Sequence, residues 1–496
     1  MDRSDLVTID APKLAELLGD WVTGSGPLYR KLAAAVRSAI EEGTLPAGAV
    51  LPAERRLAEL LSVSRATVVA AYDLLRGEAL LESRQGSGTR IAADVPVRSA
   101  VDDGRVRGGA ATTIFQRLVD GPGTVISLTR AAGTGVPAVG TALREVLDAD
   151  LDALLATDGY HAVGLPALRE AIAEHFTVTG LPTAPDQVLV TTGAHQALGL
   201  VSELYLRRGG SSVLIETPSF PGCTDVFRSH GAHVLSATLD EEGIDADEVA
   251  AALARHRPTL LYVMPTYQNP TGTLMSGERR QRITALAARH QVPIVEDSAY
   301  DAFRSTPEPP PLAAFAPPGA DVLTLGSLGK TVWSGLRTGW VRGPATIIER
   351  LARRKVLADL GSAVLDQAVA ARLLPRMEEL RAARDVELRA KLGLLEDLLH
   401  ARLPSWRWRR PDGGLSLWVE VPGVDTAAYA QVALRHGVEI VPGQAMDGTG
   451  RFRSFFRLPF AFPEPVIEDI VLRLAGAYAD LTRNGPVETT PVRVIV

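Results

Sequence analysis

The sequence predicts two folded units of different class: a small α+β unit near the N-terminus and a large α/β unit with a mostly parallel central sheet. Three observations predict them. Residues 28–91 carry helix-spaced apolar side chains and end in a hairpin with a Gly-rich tip. From about residue 125, short apolar runs alternate with longer helical patterns, and residues 93–124 between the two units keep neither period. The 496-residue length suits about three domains, or two if they are large. With 46% hydrophobic and 22% charged residues the chain can bury a large core, which excludes a mainly disordered protein. No apolar run reaches the roughly 18 residues of a spanning helix, and the Met1-Asp2-Arg3-Ser4-Asp5 start is not a secretory leader, so the expected location is the cytoplasm with no membrane partner. A single cysteine, Cys223, removes an intrachain disulfide framework and a Cys-clustered zinc site, and no metal is expected.

In the small unit, Leu28, Leu32, Val36 and Ile40 recur every four residues and place one apolar stripe on a helix. After Gly43 and the turn-prone Leu45-Pro46-Ala47-Gly48, the residues Leu57, Leu60 and Leu61 mark a second helix. Ser62-Val63-Ser64 is a tight turn in which Ser64 caps a third helix carrying Val68, Tyr72 and Leu75. Beyond Gly77, residues 80–91 read as two short strands around Gln85-Gly86-Ser87-Gly88. Residues 93–124 mix Asp, Gly, Val and Arg and read as a linker, with a short amphipathic piece at 115–119. In the large unit the runs 188–191, 212–215, 260–263, 292–295 and 322–325 read as buried strands, and 277–290 as one of the helices between them. Ligands of such sheets sit at the carboxyl ends of the strands, where several unusual short sequences follow directly.

Helix, turn, helix and Gly-tipped hairpin is the plan of a winged helix-turn-helix, whose helix from Ser64 would enter the major groove of DNA. Arg55, Arg56 and Arg65 stand at helix starts, where phosphate is also favoured. Residues 28–91 hold nine Lys/Arg and seven Asp/Glu, so the head is slightly basic inside a chain of net charge −6. A plain helical bundle with solvated arginines would share the pattern. Leu28-Tyr29-Arg30, Leu51-Pro52-x-Glu54-Arg55-x-Leu57-Ala58, Val63-Ser64-Arg65-x-Thr67-Val68, Ala71-Tyr72 and Gly86-Ser87-Gly88-Thr89 together resemble the GntR-type winged helix. That resemblance implies that Arg55 and Arg65 contact bases or phosphates, Thr67 the backbone, and Gln85-Gly86 the adjacent minor groove. It also implies a homodimer reading two half-sites of a double-stranded operator.

The chain has only five lysines, Lys13, Lys31, Lys330, Lys355 and Lys391, so in the large unit three could form a Schiff base with an aldehyde cofactor. Lys355 follows Arg353-Arg354 and Lys391 lies among charged residues, and both read as solvated. Lys330 differs: it follows the strand 322–325 in Ser327-Leu328-Gly329-Lys330, with Arg337 seven residues on as a planar fork for phosphate. Ser327 offers a hydroxyl. Other strand ends supply what pyridoxal 5'-phosphate (PLP) needs: the carboxylate of Asp297 for the pyridine nitrogen, with Tyr300 and Asn269 for the phenolic oxygen. Thr192-Gly193-Ala194-His195 leads from a strand into a helix and can cradle the phosphate, and Phe220 can stack on the ring. Arg457, among apolar neighbours, suits a carboxylate of an amino-acid ligand. Taken singly, each has a plainer reading: Phe220 as core, His195 as a helix start, Asp297 as a cap, Lys330 as a surface lysine.

In this order, Asn269, Asp297-x-x-Tyr300, Ser327-x-x-Lys330, Arg337 and Arg457 resemble the fold-type I aminotransferase site. The resemblance implies a large α/β domain with a smaller C-terminal α+β subdomain, PLP as a Schiff base on Lys330, and the effector's α-carboxylate on Arg457. It also implies that Tyr160 of a neighbouring subunit reaches the phosphate. Two positions depart from the family pattern: Gly329 stands where a serine is usual, and the spacing after Tyr160 is one residue short. A GntR-type head joined to such a domain resembles the MocR group of bacterial transcriptional regulators. That implies a PLP-dependent, DNA-binding regulator that senses PLP or an amino-acid or amine effector; the alternative is a working aminotransferase carrying an autoregulatory head. The expected organisation is an arm at 1–25, the head at 26–92, the linker at 93–124, the PLP domain at 125–485 and a tail at 486–496.

Overall fold

Leu28–Glu41 forms the helix its spacing predicts, with Leu32, Val36 and Ile40 turned into the head's core. The computed structural model describes residues 8–18, 21–22, 26–41, 43–84, 88–93, 125–207, 209–300, 304 and 307–483. Glu54–Leu61 and Arg65–Gly77 are the next two helices, and Ser62 between them takes a left-handed conformation at φ 51°. Ser64 caps the third helix, its Oγ accepting from the Thr67 amide at 3.1 Å, which satisfies one of the donors a helix start leaves open. Strands β1 (Leu81–Arg84) and β2 (Gly88–Ile91) pair antiparallel as the hairpin. Gln85 and Gly86 at its tip, the segment 115–119 and the tail lie outside the described residues. The head also holds a helix with no clear signal in the sequence: Ala11–Leu18, with Leu14, Leu18 and Trp21 buried in the head's core. Eight residues beginning Ala-Pro are too few for a periodic pattern to stand out.

In the large unit, strands β4 (Val188–Thr191), β5 (Ser212–Thr217), β6 (His233–Asp240), β7 (Gly243–Ile244), β8 (Leu260–Val263), β9 (Ile294–Asp297), β10 (Val322–Ser327) and β11 (Gly339–Arg342) form one sheet in the order β4-β11-β10-β9-β8-β5-β6-β7. The run from β10 to β6 is parallel throughout. The sheet is therefore mixed: β11 runs antiparallel to β10 and β4, and the short β7 antiparallel to β6. β11 carries no clear strand signal in the sequence because its four residues include a glycine and an arginine, and β6 none because most of its residues are only partly buried or exposed. The strand read at 292–295 lies two residues later, so Asp297 ends β9 instead of following it.

Two smaller assemblies complete the site. Strands β3 (Ile126–Ser127) and β14 (Val438–Glu439) make a short parallel pair. Strands β12 (Arg407–Trp408), β13 (Ser416–Glu420), β16 (Phe455–Pro459) and β15 (Val441–Pro442) form an antiparallel sheet in that order. Among the described residues no helix is long and apolar enough to cross a membrane.

Gly339 of β11 packs on the turn after β4. A Cβ there would stand 2.6 Å from both the Gly193 Cα and the Gly326 carbonyl oxygen, backbone atoms that cannot swing aside. Gly339→Ala should therefore cost about 1–3 kcal/mol, the usual penalty for overpacking. Urea unfolding followed by circular dichroism should show a lower midpoint at an unchanged slope.

Candidate functional site

The carboxyl ends of β4, β8, β9 and β10 bring the predicted residues to one place. Because β9 and β10 are parallel with Leu325 opposite Asp297, the turn after β10 that carries Lys330 falls beside the Asp297 carboxylate. That turn, Gly329–Trp333, is a single π-helical turn, an irregularity frequent at functional sites. The half-buried Lys330 donates from Nζ to the Ala131 carbonyl at 2.6 Å. Burial pushes its ammonium down to about 8, Arg457 adds to this, and Asp297 opposes it. Asp297 is 6% exposed and accepts from the Tyr262 hydroxyl at 2.7 Å and the Ala299 amide at 2.9 Å. Its burial raises the carboxyl above the usual range, against these hydrogen bonds and the charges of His195 and Lys330.

Asn269 and Arg457, 188 residues apart, meet in the core: Arg457 Nη1 donates to Asn269 Oδ1 at 3.3 Å, and Nη2 to the Thr129 carbonyl at 2.6 Å. Arg457 lies mid-strand in β16 between Trp418 and Val441 and is 2% exposed. Among the described residues no carboxylate pairs with it, and its buried Nε has no hydrogen-bond partner. Burial lowers its affinity for a proton. A buried guanidinium without a counter-ion is costly, and it fits an acidic group brought from outside. Tyr300 is buried, its hydroxyl 2.8 Å from Ser416 Oγ.

At the other end, β4 runs through Gly193, φ 130°, into the helix Ala194–Tyr205. The Arg337 guanidinium lies against that turn: a Cβ on Gly193 would be 3.3 Å from its Nη2. A cation at a helix N-terminus opposes the helix dipole unless an anion sits between them. Ala194 and His195 open this helix; burial lowers the His195 imidazole's affinity for a proton, and Asp297 opposes that. Ser327 Oγ accepts from the Gly329 amide at 3.0 Å and donates to the Thr338 carbonyl at 3.3 Å. Phe220 caps the helix Pro221–Ser229 and is partly buried against the main core. Tyr160 stands apart on the surface, 67% exposed.

Three partners escaped the sequence. Tyr262, read as a buried strand residue, holds Asp297. Glu216 accepts from the Met264 amide and from Gln268 Nε2, and Gln268 also donates to the Pro218 carbonyl, so one clip joins the Asn269 turn to the Phe220 loop. Burial pushes the Glu216 carboxyl up to about 8. Lys355 corrects an expectation: it is 1% exposed, not solvated. It pairs with Asp359, which holds Gln196, whose side-chain oxygen accepts from the Thr192 amide in the turn after β4. Lys355 lies on the helix Ala345–Asp359, and three neighbouring cations in the sequence do not reveal which one faces inward. Lys391 is mostly buried too, against Glu387.

The residues fit PLP by their chemistry. They comprise one amine of lowered basicity, a buried carboxylate beside it, an anion cradle at a helix start, and an uncompensated guanidinium opposite. On the head, the side chains of Arg55 and Arg65 are 84% and 69% exposed, and Thr67 sits on the first turn of the helix behind Ser64. The weak surface ion pairs of these arginines with Glu59 and Glu54 leave them available to phosphate.

Comparison with known proteins agrees with this division. Residues 135–473 match the family model "Aminotransferase class I and II", and residues 28–91 the model "Bacterial regulatory proteins, gntR family". The uncharacterized HTH-type transcriptional regulator YisV of Bacillus subtilis is 32% identical over 467 residues, covering 88% of this chain and 92% of its own. The probable rhizopine catabolism regulatory protein MocR of Rhizobium meliloti is 31% identical, covering 66% of this chain and 67% of its own. Among solved structures, the α-aminoadipate aminotransferase LysN of Thermus thermophilus, complexed with N-(5'-phosphopyridoxyl)-L-leucine, superposes with a TM-score of 0.67 at 30% identity. The match covers 77% of this chain and 97% of that one.

Proposed function

The chain belongs to the aminotransferase class I and II family, carries a gntR-family head and is a MocR-type transcriptional regulator; on that premise we propose that it binds PLP at Lys330 and adjusts its hold on DNA to an amino-acid or amine effector. One observation carries this reading: Lys330, Asp297, Asn269 and Arg457 converge, and Lys330 feels the charges of both Asp297 and Arg457. When bound, the cofactor supplies an aldehyde that condenses with amines and a ring nitrogen that draws electrons when protonated. Asp297, held by Tyr262, would keep a proton on that nitrogen. Gly193, Ala194, His195 and Ser327 would hold the phosphate with Arg337, Phe220 would stack on the ring, and the Asn269 amide would donate to the phenolic oxygen. Tyr300, whose hydroxyl lies 2.8 Å from Ser416 Oγ, would offer that hydroxyl to the phenolic oxygen. Arg457 orients an effector's carboxylate.

Two copies complete the assembly. Leu143, Leu147, Leu155, Tyr160, Leu357 and Leu360 are exposed apolar side chains of the large unit, the kind of surface a partner covers. A second copy bringing its Tyr160 to the phosphate also pairs the heads, so that Arg55, Arg65, Thr67, Gln85 and Gly86 read two half-sites of a cytoplasmic operator.

The lowered basicity of Lys330 has a direct test. The amine must be unprotonated to attack an aldehyde, so cofactor attachment should accelerate about tenfold per pH unit below 8 and level off above it. A profile still rising at pH 10 would mean an ordinary lysine. The sign for stability is the same: between about 8 and the ordinary 10.5 the native chain binds fewer protons than the unfolded one, so raising pH through that window stabilises the cofactor-free protein.

The second reading, a working aminotransferase, is favoured by the completeness of the site and by its likeness to LysN. Incubation with an amino acid and a keto-acid acceptor separates the two. Many turnovers per chain would show an enzyme with a reading head, and none beyond the first a sensor.

A further inference from the structure

We infer that the helix Thr426–Arg435 seats the reading head and transmits to it the arrival of a carboxylate at Arg457. The inference rests on the assignment of Arg457 made above and names the route by which that site is coupled to DNA. At the head, Arg435 donates from Nη1 to the Leu61 carbonyl and from Nη2 to the Ser62 carbonyl, both at 3.1 Å. Ser62 Oγ returns a bond to the Ala428 carbonyl at 3.3 Å, and Trp21 Nε1 donates to Gln431 Oε1 at 3.1 Å. Leu434 is buried inside the head's own apolar cluster. A cation on the last carbonyls of a helix is favourable, and these carbonyls belong to the end of Glu54–Leu61 and to the left-handed Ser62. That turn sets the angle between Glu54–Leu61 and the reading helix Arg65–Gly77.

At the other side both ends of Thr426–Arg435 are tied to the Arg457 neighbourhood. Thr426 Oγ1 donates to the Phe455 carbonyl at 2.6 Å, two residues before Arg457 on β16. Past Arg435, the chain enters β14, which pairs with β3: the Ile126 amide donates to the Gly437 carbonyl, the Leu128 amide to the Glu439 carbonyl, and Ser127 Oγ to Glu439 Oε2 at 2.6 Å. Thr129, two residues past Ser127, is the one whose carbonyl Arg457 holds at 2.6 Å. Val125, just before β3, packs against the head's cluster.

The Nη1 and Nη2 groups that a carboxylate engages are those now bonded to Asn269 and Thr129. Binding therefore redistributes these bonds and changes the pull on residues 126–129, hence on β14 and on Arg435. A ligand that lacks the carboxylate leaves them alone. This gives the effector the differential contact between two arrangements that a shift in population requires.

Hydrogen–deuterium exchange on the full-length, cofactor-free protein tests the route, with phosphopyridoxyl-L-alanine as the carboxylate-bearing probe and pyridoxal 5'-phosphate as the carboxylate-free control. In the wild type the conjugate should alter exchange in 126–129, 438–439 and the 61–67 turn, beyond any change the control produces. In Arg435→Gln the response at 126–129 should persist and that at 61–67 should be lost; Ser62→Gly, which keeps the left-handed turn without the hydroxyl, should weaken it in the same direction. An undiminished response at 61–67 in Arg435→Gln, or none there in a wild type that binds the conjugate, overturns the inference. Failure of the conjugate to bind at all, measured by calorimetry, overturns the site assignment and this inference with it.

Discussion

Lys330→Ala should abolish covalent attachment of PLP. After incubation with the cofactor, borohydride reduction and desalting, the wild type should retain about one pyridoxyl group per chain and the variant only background. The expectation is that sharp because no other lysine of the large unit can take over. Lys355 is locked to Asp359 beneath the turn after β4, and Lys391 to Glu387 along the helix Met377–Arg402. Among the described residues truncation removes a single hydrogen bond, to the Ala131 carbonyl, worth about 1 kcal/mol. The fold and the head should survive, and an unchanged circular dichroism spectrum checks this. Stoichiometric labelling in the variant would place the reactive amine elsewhere.

Arg457→Met should separate acids from plain amines. A guanidinium–carboxylate pair is worth about 1.5–3 kcal/mol as a charge-assisted interaction, so the amino-acid concentration needed to displace the lysine-bound absorbance should rise about 10–150-fold. Ethanolamine, which carries no carboxylate, should act at an unchanged concentration. Methionine keeps most of the volume and removes a buried charge that has no counter-ion among the described residues, which limits the damage to the core. The Thr129 carbonyl and Asn269 do lose their donor. A loss of response shared equally by ethanolamine and amino acids would mean that Arg457 only supports the fold.

The head was legible because each of its signals is local. The i, i+4 stripe of Leu28–Glu41, the Ser64 cap and the Gly-flanked hairpin each fix a few neighbouring residues, and the structure repeats them nearly residue for residue. The candidate site stands out in the sequence at its chemically unusual positions, where a lysine, a carboxylate or an arginine follows or interrupts an apolar run. What supports those positions was not. Tyr262 sits in a fully buried strand and looks like core until the fold sets Asp297 beside its hydroxyl. Lys355 looks like one cation among three until Asp359 and Gln196 close around it. Arg435 ends an ordinary helix, and its partners at Leu61 and Ser62 are more than 370 residues away in the chain. These are long-range pairings, set by topology, and no window of sequence contains both members.

The central claim is that occupancy of the Lys330 site changes how tightly the head holds DNA. It is tested by fluorescence anisotropy on an operator selected from a random duplex library with the full-length chain. Affinity is compared for the cofactor-free, PLP-loaded and PLP-loaded, amino-acid-treated protein, across α-amino acids and simple amines. The account predicts that at least one of these states differs from the others by about 5–150-fold, the usual range of coupling between sites. Lys330→Ala should bind DNA identically in every state, and Arg65→Ala should bind more weakly in all of them. One unvarying affinity for the wild type, with PLP demonstrably bound and released, would contradict it.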